Sequence, residues 1–317
     1  MNLQIYPTDH DWYRFLRNRP DLDEINFWQP GGSRAFTRLE VGELFLFRLK
    51  HPINRIAGGG FFLHSSVLPV DLAWLAFGEK NGVPSLFELQ RKIAGYKGYA
   101  SPASLSPADQ IGCIILSKPF FLEERDWLEV PADYAPSLVQ GKRYSAESDS
   151  GRLLLEQVLE RLAALPGGRV VERTETMGTL KVEGPLWGEG KIGRRRLGQG
   201  SFRVLVTDAY DRKCAVTGER TLPVLEAAHI RPVTRSGEHR VDNGLLLRSD
   251  IHTLFDAGYV TVTPDLHFRV SPRLSRDWSN GRVYYALDTD EVRPPRNDEF
   301  RPSREFLEWH ADTVFLR

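Results

Sequence analysis

Imidazole and carboxylate side chains concentrate between residues 226 and 256 of this 317-residue chain, where three of its eight histidines lie. His229 follows an apolar stretch, and His252 and Asp256 are four positions apart, a spacing that places both on one face of a helix. Hydrolysis of a phosphodiester needs a base that deprotonates water and positive charge that stabilises the transition state. Histidine titrates near neutral pH and suits the first task, whereas a hard divalent cation held by carboxylate and imidazole suits the second. These residue types therefore predict a hydrolytic site.

Three short elements would have to position these side chains. The stretch that ends at His229 has strand character, and Asn243–Arg248 is predicted as a second short strand. Ser249 is the expected N-cap of the helix that carries His252, and Gly258 is expected just after the end of that helix. Two strands and one helix would thus direct both histidines and the carboxylate toward one small volume.

The same segment resembles the HNH (ββα-metal) nuclease family. The match begins with His229-Ile230-Arg231-Pro232, continues with Asn243 14 positions after the first histidine, and ends with His252 a further 9 positions on. The resemblance implies that His229 is the general base, that Asn243 holds the loop that orients it, and that His252 binds a metal ion. Asp256 stands where some members place another ligand. The implied cofactor is one Mg²⁺ or Mn²⁺ per site.

Two positions depart from the family pattern. Many members carry a metal-binding Asp or His immediately before the base, where this chain has Ala228. Glu226 lies two residues earlier and is expected on the same strand face, so it is a candidate replacement ligand. Cys214 resembles the remnant of a zinc knuckle whose second cysteine is lost, and we expect a core residue there and no structural zinc. With only two cysteines, the chain also excludes a disulfide framework.

Charge is balanced over the whole chain but not along it. Lys+Arg and Asp+Glu number 42 each, whereas residues 191–248 hold 12 basic and 6 acidic residues. Such an excess is typical of a phosphate-binding stripe, although a solvated basic face would have the same composition. The candidate DNA phosphate contacts are Arg194, Arg195, Arg196 and Arg231. His239, in the loop between the two predicted strands, is expected to be exposed to solvent.

The composition of the N-terminal half predicts a mixed sheet with helices. Strands are expected at Gly42–Leu49, at Gly58–Ser65, where the glycines indicate close backbone approach, and at Ile111–Leu116. Helices are expected at Leu72–Phe77, Ser85–Ile93 and Ser148–Leu165. In the C-terminal half, a helix is expected at Ser201–Tyr210 with Ser201 as its N-cap, Asn280–Tyr285 suggests a hairpin, and Ser303–His310 suggests a closing helix. We predict an α+β fold: a small mixed β-barrel domain at 1–147, a helix and basic Gly-rich linker at 148–200, and a ββα-metal domain at 201–317.

The first domain resembles the PUA-like superfamily, especially EVE-type readers of modified bases. The resemblance is carried by Phe27-Trp28-Gln29-Pro30-Gly31-Gly32, by Gly42–Leu49 and by Gly58–Ser66. It implies a pocket that takes an extruded base between aromatic side chains. The candidate base-recognition residues are Trp28, Phe61, His64, Ser65, Ser66 and Trp74. Most aromatic residues of strands are core residues, whereas Trp28, beside Gln29, Pro30 and two glycines, is predicted in a loop.

Together these observations predict a cytoplasmic, modification-dependent DNA endonuclease of the reader–linker–HNH type. It would bind double-stranded DNA with a modified base, methylated or hydroxymethylated cytosine, flip that base out and hydrolyse nearby phosphodiester bonds, and it could act as a homodimer. Two alternatives stay open: a non-catalytic protein that binds modified nucleic acid, and an RNA-directed nuclease. No stretch is long enough to span a membrane. Neither a P-loop nor a GxGxxG motif before a helix is present, which argues against a metabolic enzyme.

Overall fold

The computed structural model describes residues 1–19, 21–32, 34–135, 138, 141–165 and 196–317. The chain divides into two compact units, Met1–Gly188 and Glu189–Arg317. Arg194 and Arg195, with most of the predicted linker, lie outside the described residues. Within the described part of the chain, no helix is long and apolar enough to cross a membrane.

The first unit is built on a seven-stranded mixed sheet with helices. Its elements are β1 (Asn2–Thr8), α1 (His10–Arg17), β2 (Glu24–Gln29), β3 (Leu44–Leu49), β4 (Arg55–Pro69), α2 (Val70–Phe77), α3 (Leu86–Lys97), β5 (Gln110–Phe121), β6 (Leu128–Glu129), β7 (Lys142–Ser145) and α4 (Asp149–Ala164). The strands follow the order β2-β5-β4-β3-β1-β7, and β6 pairs with β4. Among the described pairs, only β1 and β3 are parallel.

Both faces of this sheet are covered, which explains the apolar run Leu44–Phe47 in β3. Leu44 and Leu46 belong to a cluster with the apolar side of α4, including Leu155. Phe45 and Phe47 alternate to the other face and pack in a cluster with α1. The helix α4, predicted next to the linker, is therefore part of the core of the first unit.

The glycines of β4 mark close backbone approach, as predicted. A Cβ on Gly58 would collide with the carbonyl oxygen of Phe120, and one on Gly59 with that of Phe45. The predicted strands and helices of this unit are confirmed. β4 and β5 are longer than predicted, because each strand continues beyond the apolar stretch on which its prediction was based.

The second unit consists of short strands and helices. Its elements are α5 (Gln199–Ala209), β8 (Leu225–His229), β9 (Gly244–Arg248), α6 (Ser249–Asp256), β10 (Val260–Val262), β11 (Phe268–Val270), α7 (Arg273–Trp278), α8 (Arg282–Tyr285) and α9 (Arg304–Thr313). β8 and β9 pair antiparallel with His229 opposite Gly244, and α5 and α6 pack against this pair. The predicted strand–strand–helix order is thus present, and the α+β fold class is confirmed.

Local predictions in the second unit need three corrections. Gly198, not Ser201, is the N-cap of α5, and Ser201 is fully buried within the helix. Arg248 precedes α6 as its N-cap, so Ser249 is its first helical residue. The hairpin expected at 280–285 is wrong: the side chain of Asn280 accepts hydrogen bonds from the next two backbone N–H groups, and this turn leads into the helix α8.

Cys214 lies in the core of the second unit, as predicted. Its side chain is completely buried, and its Sγ accepts hydrogen bonds from the backbone N–H groups of Arg248 and Thr217 at 3.3 and 3.5 Å. The sulfur therefore ties the loop before β8 to the end of β9.

Candidate functional site

His229 stands at the end of β8 with its ring held between two neighbours. Its Nε2 is 2.9 Å from Nδ1 of His239, and its ring stacks on Phe202 of α5 at a centroid distance of 4.0 Å. Burial lowers the pKa of His229 to about 4, and the nearby charges of His239 and His252 act in the same direction. At neutral pH the imidazole is therefore uncharged and can accept a proton.

Asn243 is fully buried directly before β9 and holds together the loop between the strands. Its Oδ1 accepts the N–H of Arg231 at 2.9 Å, and its Nδ2 donates to the carbonyls of Arg231 and Glu238, both also at 2.9 Å. Its own carbonyl accepts the N–H of Ile230. All polar groups of this amide are used to fix the loop that follows His229.

A second group of side chains is centred on His252. Its Nδ1 is 2.6 Å from Glu226 Oε2, and its Nε2 is 3.3 Å from Asp256 Oδ2. Burial raises the pKa of Asp256 and Glu226 adds to this, while His252 opposes it. The structure thus brings together the three residues that the sequence predicts as metal ligands. Ala228 is fully buried, and its methyl side chain has no atom that could bind a metal ion.

The donor chemistry of this group suits a hard divalent cation, because it combines two carboxylates with one imidazole. Among the described residues, however, no three or more His, Cys, Asp or Glu side chains are arranged as a ready metal site. Both ring nitrogens of His252 face carboxylates instead. A bound cation would take the place of one of these contacts.

The predicted phosphate contacts are only partly described. Arg196 is exposed at the start of the second unit. Arg231 lies beside the loop after His229: its Nε donates to the carbonyl of Arg235 at 2.8 Å, and its guanidinium lies 5.3 Å from the ring centre of Trp309. Arg231 is therefore held in place next to the candidate base.

The six predicted base-recognition residues do not gather in one pocket. Phe61 packs in the core cluster with α4, and Ser66 is buried. The Oγ of Ser65 accepts the N–H of Phe36 at 2.6 Å, and His64 lies beside it in β4. His64 and Ser65 are half-buried, and none of these four residues lines the cleft described next. Trp74 lies on α2, away from the cleft described next.

Trp28 is the one member of that set that lines the large cleft of the first unit. The cleft has a volume of about 670 Å³, within the range of small-molecule and base pockets. It is lined by Tyr6, Pro7, Thr8, Asp9, Trp12, Phe27, Trp28, Gln29, Pro30, Gly31, Arg34, Ala35, Phe36, Thr37, Arg38, Lys50 and Tyr96. Trp28 is not a loop residue as predicted: it lies in β2 opposite Cys113 and is mostly buried.

Two indoles of this wall share one acceptor. The Nε1 atoms of Trp12 and Trp28 both donate to the carbonyl of Asn81 at 2.9 Å. The side chain of Asn81, completely buried, donates in turn to the carbonyls of Ala73 and Gly78 and accepts from Asn26. The aromatic wall is consequently fixed before any ligand arrives.

The cleft also holds a carboxylate with two donors. Asp9 accepts from Lys50 at 2.5 Å and from the hydroxyl of Tyr96. Burial raises the pKa of Asp9, but the hydrogen bonds from Lys50 and Tyr96 outweigh it and the pKa is lowered overall. Asp9 is thus an ionised acceptor at neutral pH. Asp9 is the N-cap of α1, Lys50 follows β3 and Tyr96 lies on α3, so no sequence spacing links them.

Comparison with known proteins identifies one family and several distant structures. Residues 214–263 match the HNH endonuclease family, and no curated protein sequence matches the chain. Crystal structures of two variants of ZmASCH from Zymomonas mobilis share 9% identity and cover 48% of this chain and 96% and 94% of their own, each with a TM-score of 0.31. The modification-dependent TagI restriction endonuclease shares 13% identity and covers 98% of this chain and 81% of its own, with a TM-score of 0.28.

The family match spans the residues on which the HNH resemblance was based, including His229, Asn243 and His252. The predicted resemblance to HNH endonucleases is confirmed over residues 214–263.

Proposed function

We propose that this protein is a modification-dependent DNA endonuclease in which residues 201–317 cut DNA and residues 1–147 bind a modified base. The observation that carries the nuclease half is the placement of a neutral imidazole, His229, near the cluster Glu226–His252–Asp256 within the HNH segment. The observation that supports the reader half is the fixed aromatic cleft of the first unit.

In this proposal His229 is the general base. Its neutral ring takes a proton from the attacking water, and Asn243 keeps the adjoining loop in place during this transfer. Arg231, fixed on Trp309, contributes positive charge beside the phosphate. Arg194, Arg195 and Arg196 extend the phosphate contacts along the DNA backbone.

Glu226, His252 and Asp256 would hold the divalent cation, Mg²⁺ or Mn²⁺. When bound, such an ion supplies positive charge for the pentacoordinate phosphorus and for the leaving oxygen. The carboxylates of Glu226 and Asp256 are partly exposed, so they can attract a cation from solution. Glu226 takes the role that the family pattern gives to the position of Ala228.

The cleft of the first unit would take a base flipped out of the duplex. Its volume of about 670 Å³ leaves room for a pyrimidine with a 5-substituent. The aromatic rings of Trp28 and Tyr6 can pack against the flipped base, and the ionised carboxylate of Asp9 can accept a hydrogen bond from an exocyclic amino group of that base. Of the two DNA pyrimidines, cytosine has such an amino group and thymine does not, which favours modified cytosine over modified thymine. Arg34 and Arg38 line the same cleft and carry charge suited to the flanking phosphates.

The test is cleavage of matched plasmids that are unmodified or carry 5-methyl- or 5-hydroxymethylcytosine, with Mg²⁺ or Mn²⁺, beside the His229→Ala variant. We expect cutting of modified DNA only, and a loss of about 10²–10⁴-fold in kcat in the variant. Equal cutting of all plasmids would keep the nuclease and refute the reader. Cutting that survives in His229→Ala would refute the assigned base.

The buried Ala228 and the engagement of both His252 nitrogens favour one alternative: a protein that binds modified nucleic acid without cutting it. Titration with Mn²⁺ distinguishes the two. For the nuclease we expect binding that weakens on the order of 10–100-fold in Glu226→Gln. The control Asp265→Asn removes a carboxylate that pairs with His267 on an exposed turn and should leave binding unchanged. Modified DNA bound without Mn²⁺ binding or cutting would establish the alternative. Parallel cleavage of RNA tests the RNA-directed alternative.

A further inference from the structure

The loop position of His239 predicts exposure to solvent. In the structure His239 lies instead against His229, the candidate general base. Its Nδ1 is 2.9 Å from Nε2 of His229, and the two ring centres are 4.9 Å apart. Phe202 contacts both rings, with centroid distances of 4.0 Å to His229 and 5.8 Å to His239. The two imidazoles and the phenyl ring form one cluster.

The backbone on both sides of His239 is fixed. The carbonyl of Glu238 accepts from Asn243 Nδ2 at 2.9 Å, and the carbonyl of His239 accepts the N–H of Leu197 at 2.7 Å. On the other side, the guanidinium of Arg240 makes two hydrogen bonds to the carboxylate of Asp242, at 2.9 and 2.6 Å. The contact between the two histidines is therefore supported by anchored neighbours.

A hydrogen bond between two imidazoles needs one ring to donate and the other to accept. Within the described part of the chain, Nδ1 of His229 has no hydrogen-bond partner, and it is not among the buried polar atoms that lack one. That nitrogen is consequently open to solvent. If Nε2 of His229 carries the ring proton, the lone pair of Nδ1 is free on the solvent side.

We propose that His239 is a positioning residue that accepts the Nε2–H of His229 and thereby selects the tautomer in which Nδ1 of His229 can act as base. The inference rests on the proposed role of His229. When water transfers a proton to Nδ1, the resulting imidazolium still donates Nε2–H to neutral His239, so the ring keeps its orientation during the transfer. An orienting acceptor behind a catalytic base is a recurring arrangement.

Two substitutions separate orientation from packing. His239→Phe keeps a flat ring beside Phe202 but removes the acceptor, whereas His239→Asn places a carbonyl oxygen near the position of Nδ1. We expect His239→Phe to lose about 10–100-fold in kcat with unchanged KM, and His239→Asn to recover most of the rate. His267→Phe replaces an exposed histidine of the same unit and serves as control. Thermal unfolding confirms that each variant is folded.

The second measurement needs no activity. Long-range ¹H–¹⁵N correlation spectra of ¹⁵N-histidine-labelled protein report which nitrogen of His229 carries the proton. We expect the Nε2–H form in the wild type and in His239→Asn, and a mixture in His239→Phe. Full activity of His239→Phe, or an Nδ1–H form in the wild type, would overturn the inference. If instead His229→Ala still cuts, the assignment of His229 as the base fails, while the spectra still test the hydrogen bond.

Discussion

The carboxylate of Asp9 occupies the cleft of the first unit with Lys50 and Tyr96 as its donors. In Asp9→Asn the ionised acceptor is lost, and an amide group can present a donor to the base instead. We expect weaker binding of DNA with 5-methylcytosine, by about tenfold or more, because one good base contact contributes on the order of 1–3 kcal/mol. Fluorescence anisotropy with modified and unmodified duplexes measures the change.

The matched control is Asp71→Asn. Asp71 accepts from Gln90 on the surface of the same unit and lies outside the cleft. Equal affinity of Asp9→Asn and the wild type for modified DNA would show that Asp9 does not read the base.

Residues at this scale differ in how well the sequence predicts them. His229, Asn243 and His252 were found because they lie within 24 positions on adjacent elements and have a fixed spacing. Asp9, Lys50 and Tyr96 meet only through the tertiary fold, so no local pattern marks them. His239 was misjudged because its burial depends on Asn243, which draws the loop back onto the strand pair.

At the scale of elements, His310 connects three parts of the second unit. His310 lies on α9, and its Nδ1 is 2.8 Å from Thr261 Oγ1 of β10. Its Nε2 is 3.0 Å from the carbonyl oxygen of Phe255 in α6, and its ring stacks on the ring of Phe255. Burial lowers the pKa of His310 to about 4, although the hydrogen bond to Phe255 opposes this.

This low pKa predicts acid sensitivity of the second unit. The unfolded chain binds a proton at His310 near pH 6.5, whereas the folded chain does so only near pH 4. Stability is therefore fully present above pH 6.5 and decreases as the pH falls toward 4. Thermal unfolding at pH 7 and pH 5 should show a lower midpoint at pH 5. In His310→Gln this part of the pH dependence should be smaller, and an unchanged dependence would contradict the assignment.

Gly258 ends α6, the helix that carries His252 and Asp256. Its φ of +79° is a backbone conformation that residues with a side chain rarely adopt. A Cβ at this position would also collide with the carbonyl of Val314. We expect Gly258→Ala to destabilise the second unit by more than about 1 kcal/mol. Gly95→Ala, within α3, meets nothing and should be neutral or stabilising. Calorimetry compares the two, and equal midpoints would contradict the expected strain.

The elements themselves were largely predictable, because apolar periodicity and glycine or proline breaks are local. The exceptions have tertiary causes. Trp28 directly precedes the turn-like sequence Gln29-Pro30-Gly31-Gly32, yet it pairs in β2 because β5 lies alongside. The hairpin predicted at 280–285 is wrong because a turn at Asn-Gly can precede either a strand or a helix, and here it precedes α8.

At the scale of the whole molecule, one HNH site cuts one strand, so double-strand cleavage calls for two copies of the protein or two successive nicks. We expect a homodimer on DNA that cuts at a fixed distance from the modified base. Sequencing of the ends produced from a plasmid with a single modified site measures this distance, and sedimentation of the protein–DNA complex measures the copy number. Ends scattered at random would contradict the fixed geometry.

The carbonyl of Asn81, which accepts from both Trp12 and Trp28, has a consequence for how this cleft can diversify. The aromatic platform is built into the interior, whereas Asp9, Gln29 and Arg34 reach the cleft from strand ends and loops. The aromatic wall and the polar lining can therefore change independently. If the cleft binds a base as proposed, relatives could exchange the polar residues, and with them the modification that is recognised, without rebuilding the wall.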